Sequence, residues 1–294
     1  MRNRSYARPD HRPRYTFRRM LFDVAATVVA NTPLSADYNV IALDAPDIAA
    51  AAGPGQFVMV KPQPGLDPLL RRPFSIFEVL RTASGSVTGL SLLNKRIGVG
   101  TGLLYAARPG DVIRILGPLG RPFVPVDPPA AAWMVAGGVG LAPFVTLADA
   151  LAARGTTMRL FYGARSAADL YYADHFARLG AEPHLTTEDG SRGEHGRVTA
   201  PLTRALESAD EAAAVTIYAC GPTPMMRAVA NLGEAAGRPV FVSLEQVMGC
   251  GMGGCYSCVV RVRRGAGSHF VRSCLDGPVF DSRTIVWDAL GAGH

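Results

Sequence analysis

Between residues 20 and 126, apolar side chains recur at every second position in short runs. Phe22, Val24, Ala26, Val28 and Ala30 set the rhythm, which is the two-residue period of a half-buried strand. "YNVIALDA", "GQFVMVKP", "FSIFEVL", "VTGLSLLN" and "DVIRILGP" repeat it, parted by Gly, Pro and Asp turns. Six such runs predict an antiparallel six-stranded β-barrel, the closure that removes open edges.

The period changes near residue 127. "AAWMVAGGVGLAPFVTLADALAARG" reads as strand, glycine turn and helix, with Pro143 suited to the first helical turn and Gly155 to the residue after the helix. "TMRLFYGARSAADL" supplies a second strand, and "AVTIYACGPTPMMRAVANLGEAAG" a later strand and helix. This alternation predicts a Rossmann-like parallel sheet, whose ligands bind at the C-terminal strand tips. The tips carry Gly137, Gly138, Gly140 and Pro143, then Cys220, Gly221, Pro222 and Met225. These are the candidate nicotinamide-nucleotide residues, with Cys220 in the candidate catalytic position. "GGVGLAP" is not the ordinary dinucleotide fingerprint, but a glycine turn feeding a helix can receive a phosphate or a ring. By position alone, Cys220 reads equally as a small buried apolar group.

The expected organisation is a basic arm over 1–19, a barrel over 20–126, an α/β domain over 127–242 and a small C-terminal subdomain over 243–294. Charge supports setting the arm apart. Residues 1–20 hold seven Arg and one Asp, which accounts for the whole net charge of +6. The folded body is neutral, so a nucleic-acid groove, which would place basic residues on the domain itself, is not expected. "RRMLF" resembles a twin-arginine export signal, but Asp23 interrupts the apolar region that should follow. The uncharged stretch from Pro128 to Ala148 breaks at its glycine turn, so no membrane-spanning helix is expected. With no signal peptide expected, the five cysteines do not imply a disulfide framework, and the expected compartment is the cytoplasm.

Candidate chemistry concentrates in "MGCGMGGCYSC". Cys250, Cys255, Cys258 and Cys274 are spaced C-x4-C-x2-C-x15-C, and the first three match the plant-type pattern for a [2Fe–2S] cluster. A loop wrapping a cluster needs left-handed backbone and close approach, which Gly249, Gly251, Gly253 and Gly254 permit. The alternative is structural zinc, which usually takes two separated knuckles, whereas three of these ligands crowd one loop. Met248, Met252 and Tyr256 either pack around the cluster or, if exposed, form a docking surface.

The barrel carries "LLRRPFSIFEV". Arg72 offers bidentate bonds to a flavin pyrophosphate, and Ser75 a hydroxyl. Gly100 and Thr101 in "LNKRIGVGTGLL" form a turn able to close on phosphate. Alone, an Arg-Arg-Pro turn is also a common solvated strand end.

"RRPFS", "GT", "GGVGLAPF", "CGPTPMM" and a cysteine loop, in this order, resemble the ferredoxin reductase-like flavoproteins. "SLEQVMGCGMGGCYSCVV…CLDGPVF" is narrower and resembles the electron-transfer subunits of NAD-dependent dihydroorotate dehydrogenase B. The likeness runs from about residue 22 to 290. It implies FAD contacts at Arg72, Pro73, Phe74 and Ser75, at Leu93, Asn94 and Lys95, and at Gly100 and Thr101. It implies NAD as the diffusible substrate and an FMN-containing dihydroorotate dehydrogenase catalytic subunit as partner, in a heterotetramer of two plus two. Electrons would run from dihydroorotate through partner FMN, [2Fe–2S] and FAD to NAD. The redox logic agrees: nicotinamide moves hydride, a cluster moves single electrons, and a flavin does both.

Three rivals remain. Ferredoxin:NADP-type bifurcating or sulfide-linked reductases share the layout but typically begin the cluster loop with Asp, where this chain has Cys250. An oxygenase reductase needs a full ferredoxin domain, and only about 50 residues follow Ser243. A colourless zinc-stapled interaction module is the non-enzymatic reading.

Overall fold

The alternation at the start of the barrel holds from Phe22 to Val29 and then breaks, where a register shift between Val28 and Ala30 leaves Ala30 exposed as well. In strand β1 (Phe22–Pro33) Ala26 and Val28 are buried while Ala25, Thr27 and Val29 face outward. The computed structural model describes residues 20–210 and 212–291, and the basic arm lies outside them.

β1 pairs antiparallel with β2 (Tyr38–Asp44) and β7 (Val112–Leu119). β3 (Phe57–Lys61) continues from β7 to β4 (Arg72–Ser75). On the other side β2 pairs with β6 (Val87–Lys95), and β6 with β5 (Glu78–Arg81). Six predicted runs thus give seven strands, because "FSIFEVL" divides. Ile76 and Phe77 are consecutive and both fully buried, which one face of a flat strand does not allow. The chain bends there: Ile76 N–H donates to Gln56 of the β3 side, and Phe77 N–H to Ser91 of β6. The two edges of the curled sheet are therefore two halves of one stretch, and that stretch closes the barrel. Ile41, Leu43, Val58, Leu92 and Ile115 fill its interior. Helices α1 (Pro46–Ala51) and α2 (Val99–Ala106) flank it.

The second sheet is built from β8 (Ala131–Gly137), β9 (Met158–Ala164), β10 (Ala181–Thr187), β11 (Glu194–His195), β12 (Val215–Cys220) and β13 (Val240–Ser243). Its helices are α3 (Ala142–Ala152), α4 (Ala173–Arg178), α5 (Thr199–Ser208) and α6 (Thr223–Ala235). These strands are parallel in the order β11-β10-β9-β8-β12-β13. The order reverses between β8 and β12, the switch point where such sheets open a ligand crevice.

Beyond Ser243 the chain forms a hairpin of β14 (Val259–Arg264) and β15 (Gly267–Arg272), then α7 (Ser273–Asp276) and β16 (Val279–Asp281). β16 runs antiparallel to β13 and extends the second sheet. A lone hairpin is marginal in water. This one buries Val260 and Val262 against Phe280 and Ile285, in the core that also holds Val240 and Val242.

The barrel and the α/β sheet are packed together. Phe123 lies against Phe144 (5.7 Å) and Tyr218 (5.4 Å). Gly55 N–H donates to Thr146 Oγ1 at 3.2 Å, and Phe77 meets Tyr172 edge-on at 4.6 Å.

Candidate functional site

Three groups of residues lie along the joint between the barrel, the α/β sheet and the C-terminal segment. The first is on β4 and α2. Arg72 is exposed, and its Nη1 donates to the carbonyls of Leu70 (2.8 Å) and Arg71 (3.3 Å). It pairs with no carboxylate among the described residues. Arg71 differs: it ion-pairs with Asp23 at 2.9 Å, beside Arg114 at 3.3 Å. Of the two arginines of "RRPFS", Arg72 is the one without a carboxylate partner among the described residues, and Arg71 keeps a buried Nη1 with no hydrogen-bond partner. Gly100, in the first turn of α2, sits against it, since a Cβ there would lie 3.7 Å from Arg72 Cγ. A helix start offers unpaired N–H groups and a positive dipole end. Ser75 is half-buried and registered with Phe57 of β3, and its hydroxyl makes no hydrogen bond among the described residues.

The neighbouring predicted contacts fare differently. The Thr101 hydroxyl accepts from Ile97 N and Gly98 N, each at 2.9 Å, and donates to Gly98 O at 3.0 Å. It caps α2, so its backbone N–H is what remains for a ligand. Leu93 is buried in the core shared by both sheets. Asn94 is fully buried, with Nδ2 donating to Asn39 Oδ1 (2.7 Å) and Thr101 O (3.0 Å). Asn39 passes the chain of bonds to Asn31, which holds the carbonyls of Leu104, Tyr105 and Ala107. These asparagine side chains anchor α2, and Asn94 Oδ1 is buried without a hydrogen-bond partner among the described residues. Lys95 Nζ lies over the Tyr38 ring at 5.1 Å.

The second group is at the switch point. Gly137 ends β8, Cys220 ends β12, and the two tips are adjacent through the Ala136–Cys220 register. A Cβ at Gly137, Gly140 or Gly221 would fill the gap. At Gly137 it would lie 2.7 Å from Met225 Sδ and 2.8 Å from Pro222. At Gly140 it would lie 2.4 Å from Cys220 O. Gly221 has φ +149°, and a Cβ there would lie 3.0 Å from Gly137. Gly138 has φ +54° and opens onto free space. Pro143 enters α3 in its first turn. The fold thus gathers all eight residues singled out in the two turns. Burial and the nearby Glu245 charge push the Cys220 thiol up to about 12, against hydrogen bonds from Ser243 and the Gly221 N–H. It is a neutral thiol at physiological pH, not an activated nucleophile. Ser243 and Glu245 were not legible as partners of Cys220, because only the β12–β13 register brings Ser243 opposite it.

The third group is the cysteine loop. Gly251 (φ +71°) and Gly253 (φ +81°) are left-handed, whereas Gly249 and Gly254 are not. Tyr256 is also left-handed (φ +58°). Cys250 Sγ accepts from Met252 N at 3.4 Å and Gly254 N at 3.3 Å. Hydrogen bonds from Ser257 and Cys250 lower the Cys255 thiol to about 6, and Ser257 Oγ is 3.2 Å from Cys255 Sγ. Cys274 is fully buried, and burial with its neighbours Cys258 and Cys250 pushes it up to about 12. Cys250 thus lies near both Cys255 and Cys274, and Cys258 near Cys274, although no three ligand groups among the described residues already surround a common point. The donor set fits a cluster: four thiols, N–H groups aimed at sulfur and one thiol already poised to ionise.

Cys258, Cys274 and Met248 are buried with Phe57, Met59, Leu116 and Leu119 of the barrel. Met248 is therefore packing, which corrects its place in the docking set. Met252 and Tyr256 are exposed, and so is Phe270 (68%), which the sequence reading missed. Met59 was missed as well. Its side chain is what a Gly251 Cβ would strike, 2.4 Å from Cγ, and its backbone is registered with Pro73. One residue links the cysteine loop to "RRPFS".

A barrel with an arginine and helix-start cradle, glycine-lined tips at a parallel-sheet switch point and a cysteine loop on the barrel define a ferredoxin reductase-like oxidoreductase. Residues 134–231 match the oxidoreductase NAD-binding domain. Residues 245–286 match the iron-sulfur cluster binding domain of dihydroorotate dehydrogenase B. The dihydroorotate dehydrogenase B (NAD(+)) electron transfer subunit of Bacillus caldolyticus is 41% identical over 79% of this chain and 86% of its own length. Those of Desulforamulus reducens (39%; 83% and 91%) and Geobacillus thermodenitrificans (37%; 88% and 97%) agree. The chain belongs to the family of dihydroorotate dehydrogenase B electron transfer subunits. Among solved structures, an NADH-dependent reduced ferredoxin-NADP oxidoreductase studied for flavin-based electron bifurcation matches with a TM-score of 0.78 at 27% identity, covering 91% of each chain. A ferredoxin NADP+ reductase from Neisseria gonorrhoeae with bound FAD and NADP (TM-score 0.60, 16% identity, 73% and 92% covered) shares the fold.

Proposed function

We propose that this chain carries electrons from an FMN-containing dihydroorotate dehydrogenase catalytic subunit to NAD, in pyrimidine biosynthesis, through a [2Fe–2S] cluster and FAD. The observation that carries the reading is the Met59 junction. It joins the cysteine loop to the β4 cradle without an intervening layer, and electron transfer needs close centres.

In this arrangement Arg72 and the α2 start, at Gly100 and Thr101 N–H, hold the FAD pyrophosphate. Pro73, Phe74 and Ser75 line the flavin side. Leu93, Asn94 and Lys95 support the cradle from beneath. When bound, FAD exchanges hydride with nicotinamide and single electrons with a cluster. Gly137, Gly138, Gly140, Gly221, Pro222 and Met225 leave room for the nicotinamide nucleotide at the switch point, and Pro143 starts the helix that faces it. Cys220, held neutral, sets a compact uncharged wall beside the reacting carbon. Cys250, Cys255, Cys258 and Cys274 hold the iron.

Two chains of each kind form the assembly. A need for NAD fits the cytoplasm. No helix among the described residues is long and apolar enough to cross a membrane.

The test is spectroscopic and kinetic. The isolated chain should show flavin and iron–sulfur absorbance and reduce artificial acceptors with NADH, yet not oxidise dihydroorotate. A colourless protein with bound zinc would refute the reading.

A further inference from the structure

Residues 246–275 contain no Asp or Glu and four Arg. Three of those arginines are directed away from the cysteine loop or left in solvent. Arg261 Nε bonds Ser268 Oγ at 2.8 Å. Arg263 Nη1 holds the carbonyls of Ile285 (2.7 Å) and Arg283 (3.2 Å). Arg264 is exposed at the end of β14, beside the hairpin turn. The fourth turns onto the loop. Arg272 Nη1 donates to Gly253 O at 2.9 Å, and its guanidinium lies 4.8 Å over the Tyr256 ring. No carboxylate among the described residues pairs with it.

The peptide that Arg272 grips is the one that reaches sulfur. The Gly253 carbonyl and the Gly254 N–H belong to a single planar unit, and that N–H donates to Cys250 Sγ at 3.3 Å. A cation on the carbonyl oxygen draws electron density from the amide and makes its N–H a stronger donor. The contact needs close packing. A Cβ on Gly253 would lie 2.4 Å from Leu275 Cδ1. The Tyr256 ring holds the guanidinium plane in place.

We infer that Arg272 is a positioning residue that sets the reduction potential of the cluster, acting on Cys250 through the Gly253–Gly254 peptide. This rests on the iron–sulfur reading above. The sign follows from charge. Reduction adds one electron to the iron–sulfur group, and no proton or bond change is required. A fixed positive charge and a strengthened N–H···S bond both favour the more negative, reduced form, and potentials respond to charge and to hydrogen bonds on sulfur. Arg272 therefore holds the potential up, so that the cluster accepts electrons more readily from its donor.

The experiment is a redox titration of the purified full chain, followed by electron paramagnetic resonance, for the unsubstituted protein, Arg272→Gln, Arg272→Lys and Arg261→Gln. Arg272→Gln should lower the reduction equilibrium at fixed ambient potential about tenfold, a shift of roughly 59 mV to more negative potential for a one-electron couple. Arg272→Lys keeps the charge without the planar fork and should fall between the two. Arg261→Gln, which loses a charge on the same hairpin but not the peptide contact, should move the potential far less. The flavin absorbance should not change in any variant. An intact signal at an unshifted potential in Arg272→Gln overturns the inference, as does an equal shift in Arg261→Gln. Loss of the signal from both Arg272 variants would make the residue a structural clamp, and would overturn it too. Absence of any iron–sulfur signal in the unsubstituted protein would instead defeat the reading beneath it.

Discussion

Gly251→Ala tests the junction between the cluster loop and the barrel. Gly251 has φ +71°, and a Cβ there would lie 2.4 Å from Met59 Cγ and 3.1 Å from Leu119 Cδ1. Met59 is fully buried, so it has nowhere to withdraw. Left-handed backbone costs an alanine roughly 1–2 kcal/mol. Overpacking a filled core costs about 1–3 kcal/mol more. The low sum, ~2 kcal/mol, raises the population of loop detached from the barrel roughly 30-fold, at 1.4 kcal/mol per tenfold. The assay is the rate at which an iron chelator bleaches the cluster, with FAD content measured in parallel. Bleaching should accelerate by about that factor while FAD is retained. Gly267→Ala is the control, since that site has open space and ordinary φ. If Gly251→Ala bleaches no faster than Gly267→Ala, the loop does not depend on its seat against Met59 and the junction argument fails.

Cys255→Ser should abolish the [2Fe–2S] signal of the reduced protein, while Cys220→Ser should leave it intact and slow reduction by NADH. Arg72→Ala removes a charged phosphate partner worth roughly 1.5–3 kcal/mol, so FAD affinity should fall at least about tenfold, as equilibrium dialysis would measure. Asp23→Asn tests a pH dependence. Burial raises that carboxyl, but hydrogen bonds and charge from Arg71 and Arg114 outweigh it and hold it below the usual carboxylate range. A lowered folded value gives stability that is present above the ordinary carboxylate range and lost as pH falls through the folded value. Asp23 is partly exposed, so the variant should lose about 1 kcal/mol or less at neutral pH, and the difference should vanish in acid in denaturant titrations.

The chemistry of this protein was legible where residue type alone carries it. Four cysteines at ligand spacing, two glycine turns after apolar runs and "RRPFS" could each be picked out from the sequence as candidate sites. What the sequence concealed depends on neighbours brought together by folding. "FSIFEVL" looked like one strand, because two consecutive buried positions make sense only once both barrel edges are known. That the Asn94 amide and the Thr101 hydroxyl also hold the start of α2 was hidden, because a polar side chain near a glycine turn gives no sign that a helix end will bond it. Met248 and Met252 are indistinguishable in sequence, yet one faces the barrel and the other the solvent. Met59 and Arg272 lie far in sequence from the groups they touch, in strands whose local pattern is fully explained without them.

The most direct test of the account is dihydroorotate-dependent NADH formation by this chain combined with the FMN subunit. The account predicts no activity from either protein alone, steady NADH formation from the pair, and loss of that activity in Cys255→Ser although the variant keeps its FAD and its NADH-driven reduction of artificial acceptors. Dihydroorotate oxidation by this chain alone, or full activity of the pair with Cys255→Ser, would contradict it.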